Sequence, residues 1–139
     1  MKLVEFALIL TGWTLQRPKD PDPGAFWFAD LAHEPGDKTL LGKRYAEAGE
    51  EEGLQALALL GGHPSTARHI ATKLARHFVD DAPPAAAVET LTRAFLDSGG
   101  DLSTLYRALI DLKAAWAAPL AKLRTPQDLV VATYRSVGF

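Results

Sequence analysis

Four histidines and a few charged neighbours carry the chemistry this 139-residue sequence could offer. The segment HEPGDK sets His33, Glu34, Asp37 and Lys38 within six residues. An imidazole, two carboxylates and an amine are the groups of an acid/base pair or of a weak metal site. A turn needs the same polar composition for its own reasons, because Asp and Gly are turn formers. His63 lies between Gly61-Gly62 and Pro64, at the entrance of the next helix. There its ring is expected to fasten the turn by a hydrogen bond, and the helix N-terminus beside it is a place for an anion.

Three of the four histidines lie in GGHPSTARHIATKLARHF, residues 61–78. A zinc pair on a helix wants spacings of three or four. His69 and His77 are eight apart, about 12 Å along the axis at ~1.5 Å per residue, and Lys73 between them repels a cation. No metal site is therefore expected. Arg68, His69, Thr72, Lys73, Arg76 and His77 read as the solvated basic face of an amphipathic helix. If that face has a role, it is anion or partner docking through Arg68, Lys73 and Arg76. Ser65, Thr66, Ser103 and Thr104 fall in first helical turns, where capping explains them. Neither a glycine-rich phosphate loop nor a Gly-x-Ser-x-Gly elbow occurs.

The elements that must hold these residues follow from length and patterning. With 47% hydrophobic residues, one domain with one core is expected. Absence of cysteine removes disulfides, thiolate metal sites and thiol nucleophiles. The charge is −2 overall, but residues 1–62 hold 6 basic and 10 acidic residues and residues 63–139 hold 9 and 7. Such mild polarity, with no basic module, gives no reason to expect nucleic acid. No apolar run reaches the ~20 residues of a membrane span, and Glu5 with no cleavage pattern after it argues against a signal peptide.

Residues 3–10 are apolar except Glu5, so a helix there needs partners on all sides. Three prolines and a glycine make residues 14–24 a loop. Phe26, Trp27 and Phe28 and then Thr39, Leu40 and Leu41 flank Pro35-Gly36, which predicts one short irregular hairpin near residues 25–42. Trp13 and the three aromatics at 26–28 are expected to pack in the core and hairpin rather than form a ligand cage.

From there the period is helical. Residues 50–60 open with three glutamates suited to a helix N-terminus, and Leu54, Leu57 and Ala58 form the expected stripe. Residues 64–78 bury Ala67, Ile70, Ala71, Leu74 and Phe78. Residues 84–97 follow through Val88, Leu91 and Phe95 and end at Gly99-Gly100. Asp101 caps a helix through Leu102, Leu105, Leu109, Leu112 and Trp116. Thr125-Pro126-Gln127-Asp128 opens the last, through Leu129, Val130, Thr133 and Val137. The expected fold is mainly α, a helical bundle of about six helices with one short hairpin.

Five blocks then stand out in order: LTGWT (10–14), HEPGDKTLLG (33–42), HPSTARHIATKLARHFV (63–79), GGDLSTLYRAL (99–109) and LRTPQDLVV (123–131). Together they resemble the bacterial family known as domain of unknown function 1800, over essentially the whole chain. Members of that family are several times longer, so the resemblance implies the C-terminal portion of a larger protein, with an upstream helical region to cover the apolar first helix. It brings no activity, cofactor or catalytic residue. The chain departs from the family at DLKAAWAAP (111–119), where a Ser-Pro-Glu-Phe-like segment is expected.

Two functions follow as expectations. One is a helical scaffold or interaction module, whose partner is the upstream part of the parent or a second copy. The other is a fragment of an enzyme, with a polar site joining His33 and Lys38 of the hairpin loop to His63 and Arg68 of the helix entrance.

Overall fold

The computed structural model describes residues 2–117, 122 and 125–138. The ends of two sequence blocks, Ala118-Pro119 and Leu123-Arg124, lie outside the described residues. The chain divides into two compact units, Met1–Gly61 and Gly62–Phe139. The mainly α class is what forms, with six α-helices and two small antiparallel hairpins among the described residues.

The first unit runs α1 (Lys2–Ile9), β1 (Trp13–Leu15), β2 (Phe26–Phe28), a 3-10 turn (Asp30–Ala32), β3 (Lys38–Leu40), β4 (Lys43–Tyr45) and α2 (Glu50–Gly61). The strands at 26–28 and 38–40 do not pair with each other, as one hairpin would require. β2 pairs with β1, Trp13 opposite Phe28 and Leu15 opposite Phe26. β3 pairs with β4, Lys38 opposite Tyr45. Two local devices explain the correction. The proline loop closes on itself, with the Gln16 N–H donating to the Ala25 carbonyl at 2.8 Å and the Gly24 N–H to the Gln16 carbonyl at 3.0 Å, so β1 returns directly as β2. Leu41 and Gly42 both have positive φ, 50° and 84°, the two-residue turn whose twist suits a tight hairpin. Pro35-Gly36 still turns, with Gly36 at φ +91°, but it leads from the 3-10 segment into β3.

The core of this unit is Ile9, Leu40, Tyr45 and Ala56, with Phe6, Leu59 and Leu60 packed around it. On α2 the buried residues are Glu52, Gly53 and Ala56, whereas Leu54 and Leu57 are 47% and 43% exposed. The inward face is therefore turned from the expected one. Trp13 lies across Gly53, where a β-carbon would come within 2.3 Å of its ring; the helix can meet the indole only because that position has no side chain.

The second unit holds α3 (Pro64–Phe78), α4 (Ala85–Asp97), α5 (Leu102–Ile110), a 3-10 turn (Lys113–Ala115) and α6 (Pro126–Ser136). Ala67, Ala71 and Ala75 on α3, then Val79, pack with Val88, Leu91, Phe95, Leu105 and Leu109. The spacing of four continues from Ala75 to Val79 and leaves Phe78, expected inside, 54% exposed. Caps form where the sequence places them. The Asp101 carboxylate accepts from the N–H groups of Ser103 and Thr104, and Thr125 Oγ1 accepts from the Asp128 N–H. The Gly100 N–H closes α4 on the Phe95 carbonyl at 2.8 Å. Leu102 and Trp116 are exposed, and α6 has no buried residue, so its expected stripe of Leu129, Val130 and Val137 faces outward.

Candidate functional site

Two of the hairpin-loop residues with chemical potential, His33 and Lys38, converge, and the centre they make is internal. Lys38 enters through β3. Leu40 on that strand is buried, and alternation puts residue 38 on the same face, so the amine goes inward with only 2% of its side chain exposed. His33 arrives from the end of the 3-10 turn with 6% of its side chain exposed. The third member is Glu52, 1% exposed, from the first turn of α2. Lys38 Nζ lies 3.0 Å from Glu52 Oε2 and 3.0 Å from His33 Nε2, and it donates to the Glu34 carbonyl at 2.5 Å. An ammonium has three donors and no acceptor, and three acceptors surround this one.

The same arithmetic assigns the histidine. His33 Nδ1 is 2.8 Å from the Thr11 carbonyl, an acceptor only, so in the neutral ring the proton sits on Nδ1. Nε2 then receives from Lys38. Glu52 Oε1 takes the Ala48 N–H at 2.8 Å and lies 3.4 Å from His33 Nε2. Thr11 Oγ1 donates to the Leu8 carbonyl at 2.6 Å and accepts from the Glu34 N–H at 2.8 Å. Thus the blocks LTGWT and HEPGDKTLLG, separate in sequence, meet on one buried network.

Burial pushes the Glu52 carboxyl up, but the hydrogen bond from the Ala48 N–H and the Lys38 ammonium outweigh it and hold the pKa below the ordinary glutamate value. Asp37, one of the two acids of the loop, is exposed and ion-paired to Arg44. The hydrogen bond from Arg44, then the Glu47 N–H, lower its pKa. The carboxylate of Glu34 is exposed; only its backbone joins the network.

The candidate residues of the second unit stand as follows. His63 is the N-cap of α3, its Nδ1 accepting from the Ser65 N–H at 3.1 Å. Arg68, Lys73 and Arg76 are exposed along α3, as are His69 and His77. Among the described residues, no group of three or more His, Asp or Glu side chains is placed to hold a metal ion. Nor is any helix there long and apolar enough to cross a membrane.

Glu52 is the residue that sequence reasoning missed, because three consecutive glutamates at a helix start look alike as partners of the helix dipole. One signal distinguishes it. With Gly49 just before the helix, Glu52 is the third helical residue, where a glutamate reaches back to a backbone N–H as in a capping box.

In chemical terms the network is closed. Both ring nitrogens of His33 and Glu52 Oε1 have hydrogen-bond partners within the unit, Lys38 donates to His33 and to the Glu34 carbonyl, and Glu52 Oε2, which takes no hydrogen bond, meets the ammonium as an ion pair at 3.0 Å. A general acid or base must reach the proton it moves, and none of these groups presents one to solvent. Their arrangement braces the end of α1, the 33–37 loop, β3 and the start of α2 against one another.

A family model matches residues 3–138, that of DUF1800, described as a protein of unknown function. No curated protein and no solved structure matches the chain.

Proposed function

The chain belongs to the DUF1800 family, and from that premise we propose that it is a helical scaffold or interaction module rather than the fragment of an enzyme. One observation carries this reading. In the second unit, Leu102, Tyr106 and Ile110 are 45%, 48% and 62% exposed at successive intervals of four on α5, and α6 adds exposed Leu129, Val130 and Val131, with exposed Val137 at its C-cap. Helical faces so apolar are made to meet protein. The occupant is a second copy or an upstream segment of a longer parent. The closed network supports the same reading, since the groups that would serve an enzyme at His33 and Lys38 are spent inside the first unit. His63 uses Nδ1 on its own helix.

Sedimentation of the chain over a concentration series tests it, with Ile110→Glu and Val130→Asp as companions. A monomer–dimer equilibrium weakened by either substitution identifies the second copy. A monomer that acquires a partner only when the upstream segment is supplied identifies the parent. A chain that stays monomeric in both experiments overturns the proposal.

A further inference from the structure

A second feature, independent of those helix faces, lies on the first unit. Between β2 and the start of α2 is an open pocket of about 540 Å³, walled by Phe26, Trp27 and Phe28 and bordered by Asp30, Gly49 and Glu50. Phe26 and Trp27 are 47% and 51% exposed. The carboxylates of Asp30 and Glu50 have neither an ion pair nor a hydrogen bond among the described residues. No Lys, Arg or His is among the residues that line the pocket. Two other acids of this unit have an ion pair: Asp37 with Arg44 and Glu52 with Lys38.

We propose that this pocket binds an organic cation, an ammonium head carried on an apolar stem. Aromatic rings attract a cation over their faces, and Phe26, Trp27 and Phe28 are among the lining residues. Two unpaired carboxylates at one mouth add a negative field that a concave surface concentrates. The start of α2 takes up part of the Glu50 charge, and Asp30 supplies a second that no long helix offsets. A sugar is the other ligand that stacks on aromatics, but its hydroxyls ask for donors as well as acceptors. Apart from the Trp27 indole N–H, the lining side chains offer acceptors alone. Gly49 leaves room at the floor, where even a β-carbon would stand 3.2 Å from the Phe28 ring.

The ammonium can belong to a free small molecule or to a lysine side chain of a polypeptide, and the test separates the two. The full chain is titrated with choline, with a short lysine peptide and with glucose, at constant ionic strength set by sodium chloride, following the Trp27 indole N–H by NMR. Saturable movement of that signal with choline assigns a small cation; saturation with the peptide alone assigns a side chain. Either result must weaken at least about tenfold in the Asp30→Asn/Glu50→Gln double variant. Both positions are on the surface, and the unchanged remainder of the spectrum reports that the variant is folded. A response that never saturates, that survives the double variant, or that saturates with glucose alone overturns the proposal.

Discussion

Replacing Glu52 with glutamine keeps the shape of the buried network and removes one charge. Lys38 is then left as an ammonium 2% exposed, with two neutral acceptors and no counter-ion. At the observed Nζ–Oε2 separation of 3.0 Å, the lost attraction is about 5 kcal/mol with an effective dielectric of ~20. Breaking a buried pair from one side costs about 3–5 kcal/mol in practice. A unit of about 60 residues has some 3–9 kcal/mol to lose at ~0.05–0.15 kcal/mol per residue. The Glu52→Gln protein should therefore have its first unit largely unfolded or close to it, while α3 to α5 persist. Hydrogen exchange on the full chain reads this directly, as lost protection in 38–45 and 50–60 with protection retained in 64–79.

The companion is Lys38→Met in the Glu52→Gln background. Methionine fills the space of the lysine stem and removes the stranded charge, leaving His33 Nε2 without its donor at a cost of about 1 kcal/mol. The double variant should thus be more stable than Glu52→Gln alone by about 1–3 kcal/mol. If the single variant loses under ~1 kcal/mol, or if the two losses simply add, the pair does not support the fold in the way described.

Acid should act on the same carboxylate. Its folded pKa lies below the unfolded one, so the stability it contributes is complete above ~4.3, the unfolded value, and is lost as pH falls through the folded pKa. Denaturation curves across that range should show a slope that is smaller in Glu52→Gln. Gly53→Ala should destabilise by about 1–3 kcal/mol, because the new carbon would meet the Trp13 ring at 2.3 Å; an unchanged melting temperature would mean that the indole moves aside freely. Leu41→Asn should stabilise by about 1 kcal/mol, since leucine at φ 50° is strained and Asn-Gly suits this turn. A lower melting temperature for that variant would show that the leucine side chain contributes more by packing than its backbone angle takes away.

Much of the second unit was legible because its signals are local. Asp101, Thr125, Gly99 and Gly100 act within a few residues of themselves, and the alanines of α3 recur every fourth position. The first unit is decided by contacts distant in sequence. Nothing near Phe26 says that it will lie opposite Leu15 and not opposite a residue near 40, because three-residue strands carry too few alternations to fix a partner. The α2 stripe was misplaced for a related reason: Leu54 and Leu57 outrank Glu52 on any scale of apolarity, yet a glutamate supplied with a lysine and a backbone N–H can go inward. Of the candidate polar site, the meeting of His33 and Lys38 was legible from their spacing. What closes the site, Glu52 and the Thr11 carbonyl, comes from 19 and 22 residues away from His33.

A buried ion pair gains little over an apolar replacement of the same volume, so stability alone does not account for Lys38 and Glu52. Direction does. A β3 shifted by one residue would bury Thr39 and expel Lys38, leaving Glu52 charged, internal and alone; an apolar residue at 38 would penalise that slip far less. The network therefore selects one register for β3 and one path for residues 33–37. His33 transmits the choice outward, because its ring packs against Phe28 at 5.4 Å, and Phe28 is a wall of the pocket bordered by Asp30 and Glu50. On this account, the Lys38→Met/Glu52→Gln double variant recovers stability and loses definition. Its melting temperature should rise above that of Glu52→Gln while the amide signals of residues 28–38 broaden or double, a combination that a purely energetic role for the pair does not produce.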